Sequence, residues 1–404
     1  ISLNNDRANR RGSGMTSDTS HLTPEATRTR LTLLMEATVG GTREHLRQLT
    51  HNIDQSKFQI TVICSNLRTS DFDKDIEAMK ASGIEVVILP MRREISLSTD
   101  LSQLFWLVRY FLAHPCDVLH THCSKAGFLG RIAAAIASVP KVIHTPHTLA
   151  FQAQGCSLFQ NWLYRIMECV SGEYTDMLIA LSERQEERFV AEGLKHESRI
   201  EVILNGVEIP QLSLEQSARL RAGLALSETD KVVGFVGRLT EQKGLRELVQ
   251  VASHVCAADP DVTFLLLGEG DERIRLQTQL QELGLDERVR LLGHRTDVMP
   301  FYAMFDLLLM TSHYEGLPYA VLESMSAATP VIAFDLPELQ PAIIDGVTGM
   351  LVPFGDCSRA AAAVLHLLND EETRQAMGSQ ARELIQESFS TVACVAAHEE
   401  IYRG

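Results

Sequence analysis

From about residue 29 the chain alternates short apolar runs with longer amphipathic ones. In the first half the apolar runs predict strands at Leu31–Met35, Gln59–Cys64, Glu85–Leu89, Val118–His120, Lys141–His144, Met177–Leu181 and Ile200–Leu204. Helical periodicity fills the gaps at Thr42–Ile53, Asp73–Ala81, Asp100–Ala113, Lys125–Ala137, Leu158–Val170 and Arg184–Glu192. After Asn205-Gly206 and a polar stretch ending near Thr229 the alternation restarts. Its strands are Lys231–Val236, Val262–Leu267, Val289–Leu292, Asp306–Met310, Pro330–Phe334 and Met350–Val352. Strands alternating with helices over both halves predict an α/β fold with parallel sheets covered on both faces. Ligands of such sheets bind beyond the carboxyl ends of the strands.

The division that follows is a tail over 1–28, a first Rossmann-like domain over 29–208, a second over 209–385, and a final helix over 386–404 crossing back to the first. The helical pattern spans Glu372–Tyr402. The tail is polar, reads as disordered or appended, and contains Met15 as a candidate start.

Of the 404 residues 45% are apolar and 22% charged, ordinary globular values that suit two domains. A net charge of −15 argues against nucleic acid as a partner. The eight cysteines are scattered without a C-x-x-C pair, which predicts reduced thiols in a cytoplasmic protein. No apolar run is long enough to span a membrane.

The most informative stretch is Glu315-Gly-Leu-Pro-Tyr-Ala-Val-Leu-Glu323. Its two carboxylates flank a Gly-Leu-Pro turn between a strand and a helix-like run, Tyr319–Ala328. A helix N-terminus carries unpaired N–H groups that attract phosphate. A carboxylate one turn further in can reach hydroxyls, so the pairing suits a sugar nucleotide. Gly237-Arg238 and Lys243-Gly244 follow a strand, where the two cations could clamp a diphosphate. The alternative is a solvated basic loop.

Thr38-Val-Gly40-Gly41-Thr42 opens the first helix without a dinucleotide fingerprint. His120-Thr-His122 and His144-Thr-Pro-His147 follow strands and suit hydrogen bonding to a sugar. Zinc is disfavoured there because the sequence shows no third ligand. Asp71-Phe-Asp73 reads as a helix cap, and Gly268-Glu-Gly270-Asp271 as a cleft loop too acidic for phosphate. Leu97, Leu101, Leu104, Phe105, Val108 and Phe111 share one helix face, with Trp106 beside it. Packing on the sheet is the expected role. The alternative is a surface for a membrane or a lipid-linked acceptor, with Arg92, Arg93 and Arg109 nearby.

From Leu31 to the C-terminus the chain resembles glycosyltransferase family 4, whose members have the GT-B fold of two doubly wound Rossmann-like domains facing across a cleft. The ordered series in the second half carries the resemblance. It runs Gly237-Arg238, Lys243-Gly244, Leu267-Gly-Glu-Gly270, Leu292-Gly-His-Arg295, Glu315 to Glu323, Pro337-Glu338 and Asp345-Gly-Val-Thr-Gly349-Met-Leu-Val-Pro353. Val118-Leu-His-Thr-His-Cys-Ser-Lys-Ala-Gly127 and Thr145-Pro-His147 are similar to bacterial members that build exopolysaccharide or envelope glycans.

The resemblance implies retaining transfer from a nucleotide-diphosphate sugar to a lipid-linked or oligosaccharide acceptor, with no metal or other cofactor. Arg238 and Lys243 would hold the diphosphate, Glu315 the sugar and Glu323 the ribose, while Gly316, Leu317, Pro318 and Tyr319 would offer backbone groups. Gly293, His294 and Arg295 would lie by the base, Gly40 and Gly41 would approach the diphosphate, and His147 would bond the moving sugar. His122 and Lys125 are acceptor-side candidates. The implied location is cytoplasmic, with peripheral contact at the inner membrane face as an option. The Gly-rich stretch usual before Pro337 is replaced by Phe334-Asp-Leu. A nucleotide-sugar epimerase and a non-catalytic sugar-nucleotide binder are the alternatives.

Overall fold

The computed structural model describes residues 28–67, 72–92, 95–147, 158–195, 197–211, 213–227 and 229–404. Residues 1–27 of the expected tail, Asp71 and Arg93 lie outside them. Asp73 sits in the first turn of its helix, where an acid complements the helix dipole.

The first half runs β1 (Thr29–Met35), α1 (Gly41–Asn52), β2 (Phe58–Cys64), α2 (Phe72–Ala81), β3 (Glu85–Ile88), α3 (Leu97–Ala113) and β4 (Val118–His122). It continues with α4 (Ser124–Ala137), β5 (Lys141–Thr145), α5 (Leu158–Gly172), β6 (Met177–Ala180), α6 (Glu183–Ala191) and β7 (Ile200–Val202). The second half runs α7 (Leu214–Gly223), β8 (Lys231–Val236), α8 (Leu245–Ala258), β9 (Val262–Leu267), α9 (Arg273–Glu282), β10 (Val289–Gly293) and α10 (Met299–Tyr302). Then come β11 (Leu307–Met310), α11 (Tyr319–Ser326), β12 (Val331–Phe334), β13 (Gly349–Val352), α12 (Cys357–Asn369), α13 (Glu371–Ser388) and α14 (Thr391–Arg403).

Two parallel sheets result, ordered β3-β2-β1-β4-β5-β6-β7 and β10-β9-β8-β11-β12-β13. Strand order reverses between β1 and β4 in one and between β8 and β11 in the other. Diverging loops leave a crevice at such points. The strands are apolar on both faces because helices cover both. Leu33 and Leu34 are both fully buried, one facing β2, α1 and α14 residues and the other α3 and α4.

The helical pattern over Glu372–Tyr402 resolves into two helices, α13 and the final α14. Phe389 is buried in the second-half core, and the Ser390 hydroxyl accepts the Ala393 N–H to cap a new helix. The chain thereby turns, and α14 packs on α1 and β1 of the first half. Val395 and Tyr402 join that core. Arg188 on α6 and Glu338 add an ion pair between the halves at 3.0 Å.

The expected packing of α3 also needs correction. Leu107 and Phe111 face the core, but Leu97, Leu101 and Phe105 are exposed. Gln103 takes a buried position because its amide donates to the Pro90 carbonyl at 2.7 Å. Among the described residues no helix is long and apolar enough to cross a membrane, and the cysteines are unbridged.

Tyr402 hydroxyl lies 2.7 Å from Nδ1 of the buried His120. Tyr402→Phe leaves that nitrogen unpartnered and is expected to cost about 1–3 kcal/mol in urea unfolding. An unchanged midpoint would show that α14 docks without this bond.

Candidate active site

A cleft of about 1650 Å³ opens between the two sheets, lined from both halves. Its floor in the second half is built from the loops after β8 and β11. Gly244 has φ +61°, and a Cβ there would sit 1.9 Å from the Thr311 carbonyl oxygen. Only glycine permits that approach. The Thr311 hydroxyl lies 3.2 Å from the Lys243 carbonyl and 2.9 Å from that of Gly244. His313 N–H donates to the Gln242 carbonyl at 2.8 Å, and the Gln242 amide donates to the Tyr314 carbonyl at 2.9 Å. These bonds stitch the two loops into one rigid floor.

Lys243 emerges from that floor with its Nζ 2.5 Å from Glu315 Oε1. Both side chains are largely buried, 12% and 7% exposed. Lys243 is therefore held by an acid and does not stand free beside Arg238. Gly237 allows this, since its missing Cβ would lie 3.3 Å from the Lys243 stem. Arg238 lines the same cleft.

Gly316, Leu317 and Pro318 carry the chain into α11, whose N-terminus has no side-chain cap. The buried Asn205 amide fixes that turn by donating to the Leu317 carbonyl at 2.8 Å. Tyr319, Ala320 and Glu323 also face the cleft. The Tyr302 hydroxyl donates to Glu323 Oε2 at 3.0 Å. Burial, and then the nearby Glu44 carboxylate, push the Glu323 carboxyl up to about 7. His294 and Arg295 line the far end, while Gly293 lies behind them with φ +73°.

The first half contributes Gly40 and Gly41, whose missing Cβ lets the Tyr319 ring approach to 3.2 Å. His147 lines the cleft with a left-handed φ of +61°, unusual for a side chain of this size. Burial lowers its pKa to about 3, so its imidazole is neutral. Lys125 also lines the cleft, but its ammonium is bonded to Asp100 at 2.7 Å.

His122 does not reach the cleft. It is fully buried, with Nδ1 3.3 Å from Nε2 of His147. The expected acceptor contact at His122 is therefore replaced by an internal one. His45 and His398 complete a buried group of rings around it. Sequence reasoning missed His45 because it lies on the buried face of a helix, and Asn205 because it read only as a junction. The Tyr302–Glu323 contact spans a strand and two helices and leaves no local pattern.

Glu323 gives a pH prediction. Folded, it keeps its proton to about pH 7, against an ordinary value of 4.5. Between those values the folded state binds the extra proton, so stability falls as pH rises and levels off above 7. Glu323→Gln should remove this fall, a difference of about 2–3 kcal/mol between pH 5 and 8 in urea unfolding. Parallel profiles for both proteins would place the raised carboxyl elsewhere.

Comparison with known proteins matches this arrangement. The family profile "Glycosyl transferase 4-like domain" covers residues 40–206, and "Glycosyl transferases group 1" covers 216–384. The chain is 28% identical, over 87% of its length and 90% of the relative's, to the UDP-Gal:alpha-D-GlcNAc-diphosphoundecaprenol alpha-1,3-galactosyltransferase of Escherichia coli. It is 25% identical, over 86% of its length and 93% of the relative's, to the capsular polysaccharide biosynthesis glycosyltransferase CapM of Staphylococcus aureus. Anabaena HepE, solved with UDP and glucose, shares the fold with a TM-score of 0.80 at 22% identity, over 93% of this chain and 100% of that one. The two profiles together cover most of both halves of the chain, and the chain belongs to glycosyltransferase family 4, as a GT-B enzyme of the type that serves bacterial envelope and polysaccharide biosynthesis.

Proposed function

We propose that the protein moves a sugar, with retention of its anomeric configuration, from a nucleoside-diphosphate sugar to a lipid-linked glycan acceptor. The observation that carries this reading is the convergence of Arg238, Lys243, the uncapped end of α11, Glu315 and Glu323 on one cleft. Cations and N–H groups suit a diphosphate, and the carboxylates suit hydroxyls on either side of it. Two relatives' names and titles support the same chemistry. The E. coli relative is named for UDP-Gal and a diphosphoundecaprenol acceptor, and Anabaena HepE was solved with UDP-glucose.

In this reading the bond between the anomeric carbon and the diphosphate breaks, leaving an oxocarbenium-like sugar and an anionic leaving group. Arg238 and Lys243 stabilise that charge, the main catalytic device in such a reaction. Glu315 orients both Lys243 and the donor sugar. Glu323 accepts from the ribose hydroxyls, which return to it the polar partners that burial removes. Gly40 and Gly41 let the backbone approach the phosphates. His147, neutral, hydrogen-bonds the moving sugar without adding charge. With Glu315 engaged by Lys243 and Glu323 by the ribose, the acceptor hydroxyl attacks from the leaving-group face and its proton passes to the departing phosphate. The fixed cations do the work a metal would do at the diphosphate, and the mechanism proposed here uses none.

On the first-half side of the cleft, charged residues such as Arg43, Glu44 and Arg47 stand beside an apolar strip. Leu97, Leu101 and Leu104 of α3, Phe128 of α4 and Leu163 of α5 form it. Leu97 and Leu101 are exposed and run on into exposed Phe105 outside the cleft. An apolar wall that continues onto the surface suits a lipid tail better than a free oligosaccharide.

Three measurements test the reading. With an α-configured donor, the product linkage determined by NMR should be α; a β linkage removes the retaining mechanism, and an epimer formed from donor alone would favour the epimerase. Lys243→Gln keeps a hydrogen-bond donor for Glu315 but no charge, and should lower kcat about 10²–10³-fold with folding stability retained. Near-normal turnover in that variant would take Lys243 out of the catalytic set. Donor affinity measured by calorimetry should be the same with and without added Mg²⁺.

A further inference from the structure

We infer that His45, His122 and His147 form a binding site for a divalent late transition metal, with Zn²⁺ the best fit. The three residues come from α1, the end of β4 and the loop after β5. Each offers one ring nitrogen, and these nitrogens all lie within 4.8 Å of one another. All three side chains are at least nine-tenths buried. The His122 Nδ1 to His147 Nε2 separation of 3.3 Å matches the roughly 3.4 Å between ligands on a tetrahedral zinc with Zn–N near 2.0–2.1 Å.

The surrounding atoms point the same way. Nε2 of the neighbouring His398 has no hydrogen-bond partner. Buried donors and acceptors are normally satisfied, and an orphan usually marks a missing ion or water. The His398 ring packs 5.4 Å from that of His45. Its Nδ1 is held by its own helix through the Cys394 carbonyl at 2.8 Å, leaving Nε2 as a fourth ligand candidate. His120, by contrast, is satisfied on both nitrogens, by Tyr402 and Thr145, and stands outside the set. A site of neutral imidazoles with no carboxylate excludes Mg²⁺ and Ca²⁺, which require oxygen ligands, and suits zinc, cobalt, nickel or copper.

Tyr319 hydroxyl lies 3.4 Å from Nδ1 of His45, an outer contact that sets the ring's orientation. The ion would tie together the start of α1, the end of β4 and the His147 loop. These are the first-half segments that carry Gly41 and His147 to the cleft. Metal on Nε2 of His147 leaves Nδ1 as the only nitrogen of that ring able to carry a proton, which fixes it as a donor. The ion sits behind the donor site and takes no part in the charge on the diphosphate, so this site and the proposed transfer stand or fall separately.

The test uses the full chain without a histidine tag, stripped with a strong chelator and titrated with Co²⁺. The expected result is intense visible absorption of four-coordinate cobalt, saturating near one ion per chain, with Zn²⁺ displacing it. His45→Asn should lose the spectrum, while His51→Asn, at an exposed position of the same helix, should keep it. Purified untagged protein should also carry zinc by mass spectrometry. If His45→Asn fails to fold, the wild-type titration decides alone. Absent cobalt bands in the wild type, or bands that survive His45→Asn in a folded protein, would overturn the proposal.

Discussion

The cleft depends on how closely two loops approach after leaving neighbouring strands. The loops after β8 and β11 touch where Gly244 meets the Thr311 carbonyl, and no side chain fits between them. That approach sets the Lys243 backbone through the Thr311 hydroxyl and brings the ammonium onto Glu315. A largely buried ion pair gains little stability over apolar packing, because desolvation offsets most of the attraction. In the proposed transfer it serves as a cation held ready for the diphosphate. The cost of orienting Lys243 is met at folding, so it need not be met when charge develops on a leaving group.

The second constraint is the way the two halves are joined. α14 begins after the Phe389–Ser390 break and returns to the first core, while Asn205 reaches from the first half to fix the Leu317 turn. Tyr319 packs on the missing Cβ of Gly41 and approaches His45. One tyrosine thus contacts Gly41 and the buried His45 together. The donor floor and the first-half wall are therefore placed by the same few contacts, and a change at Tyr319 is felt in both.

Much of this was readable because parallel strands buried on both faces appear as continuous apolar runs, distinct from helical periodicity. Lys231–Val236 and Val262–Leu267 were placed to the residue for that reason. The Glu315–Glu323 spacing and the glycines marked the cleft because a turn and a helix start leave local signatures. What failed was tertiary. The helical pattern over Glu372–Tyr402 carries no proline to mark where the final helix begins, and burial of Phe389 decides that point. On α3, counting apolar positions picked the exposed Leu97, Leu101 and Phe105, because Gln103 can be buried once it finds the Pro90 carbonyl. The third histidine was invisible because His45, on α1, is about 77 positions from His122 in sequence and comes beside it only in the fold.

The exposed apolar face of α3 gains meaning from its position. Scattered surface leucines are ordinary. Here Leu97 and Leu101 both line the cleft and face solvent, so the patch is continuous with the site. An acceptor with a polar head and a long apolar tail would place its head beside Gly41 and His147 and its tail along this wall. For the lipid-linked acceptor proposed above, this strip offers the tail a surface continuous with the cleft, without a membrane-spanning segment among the described residues.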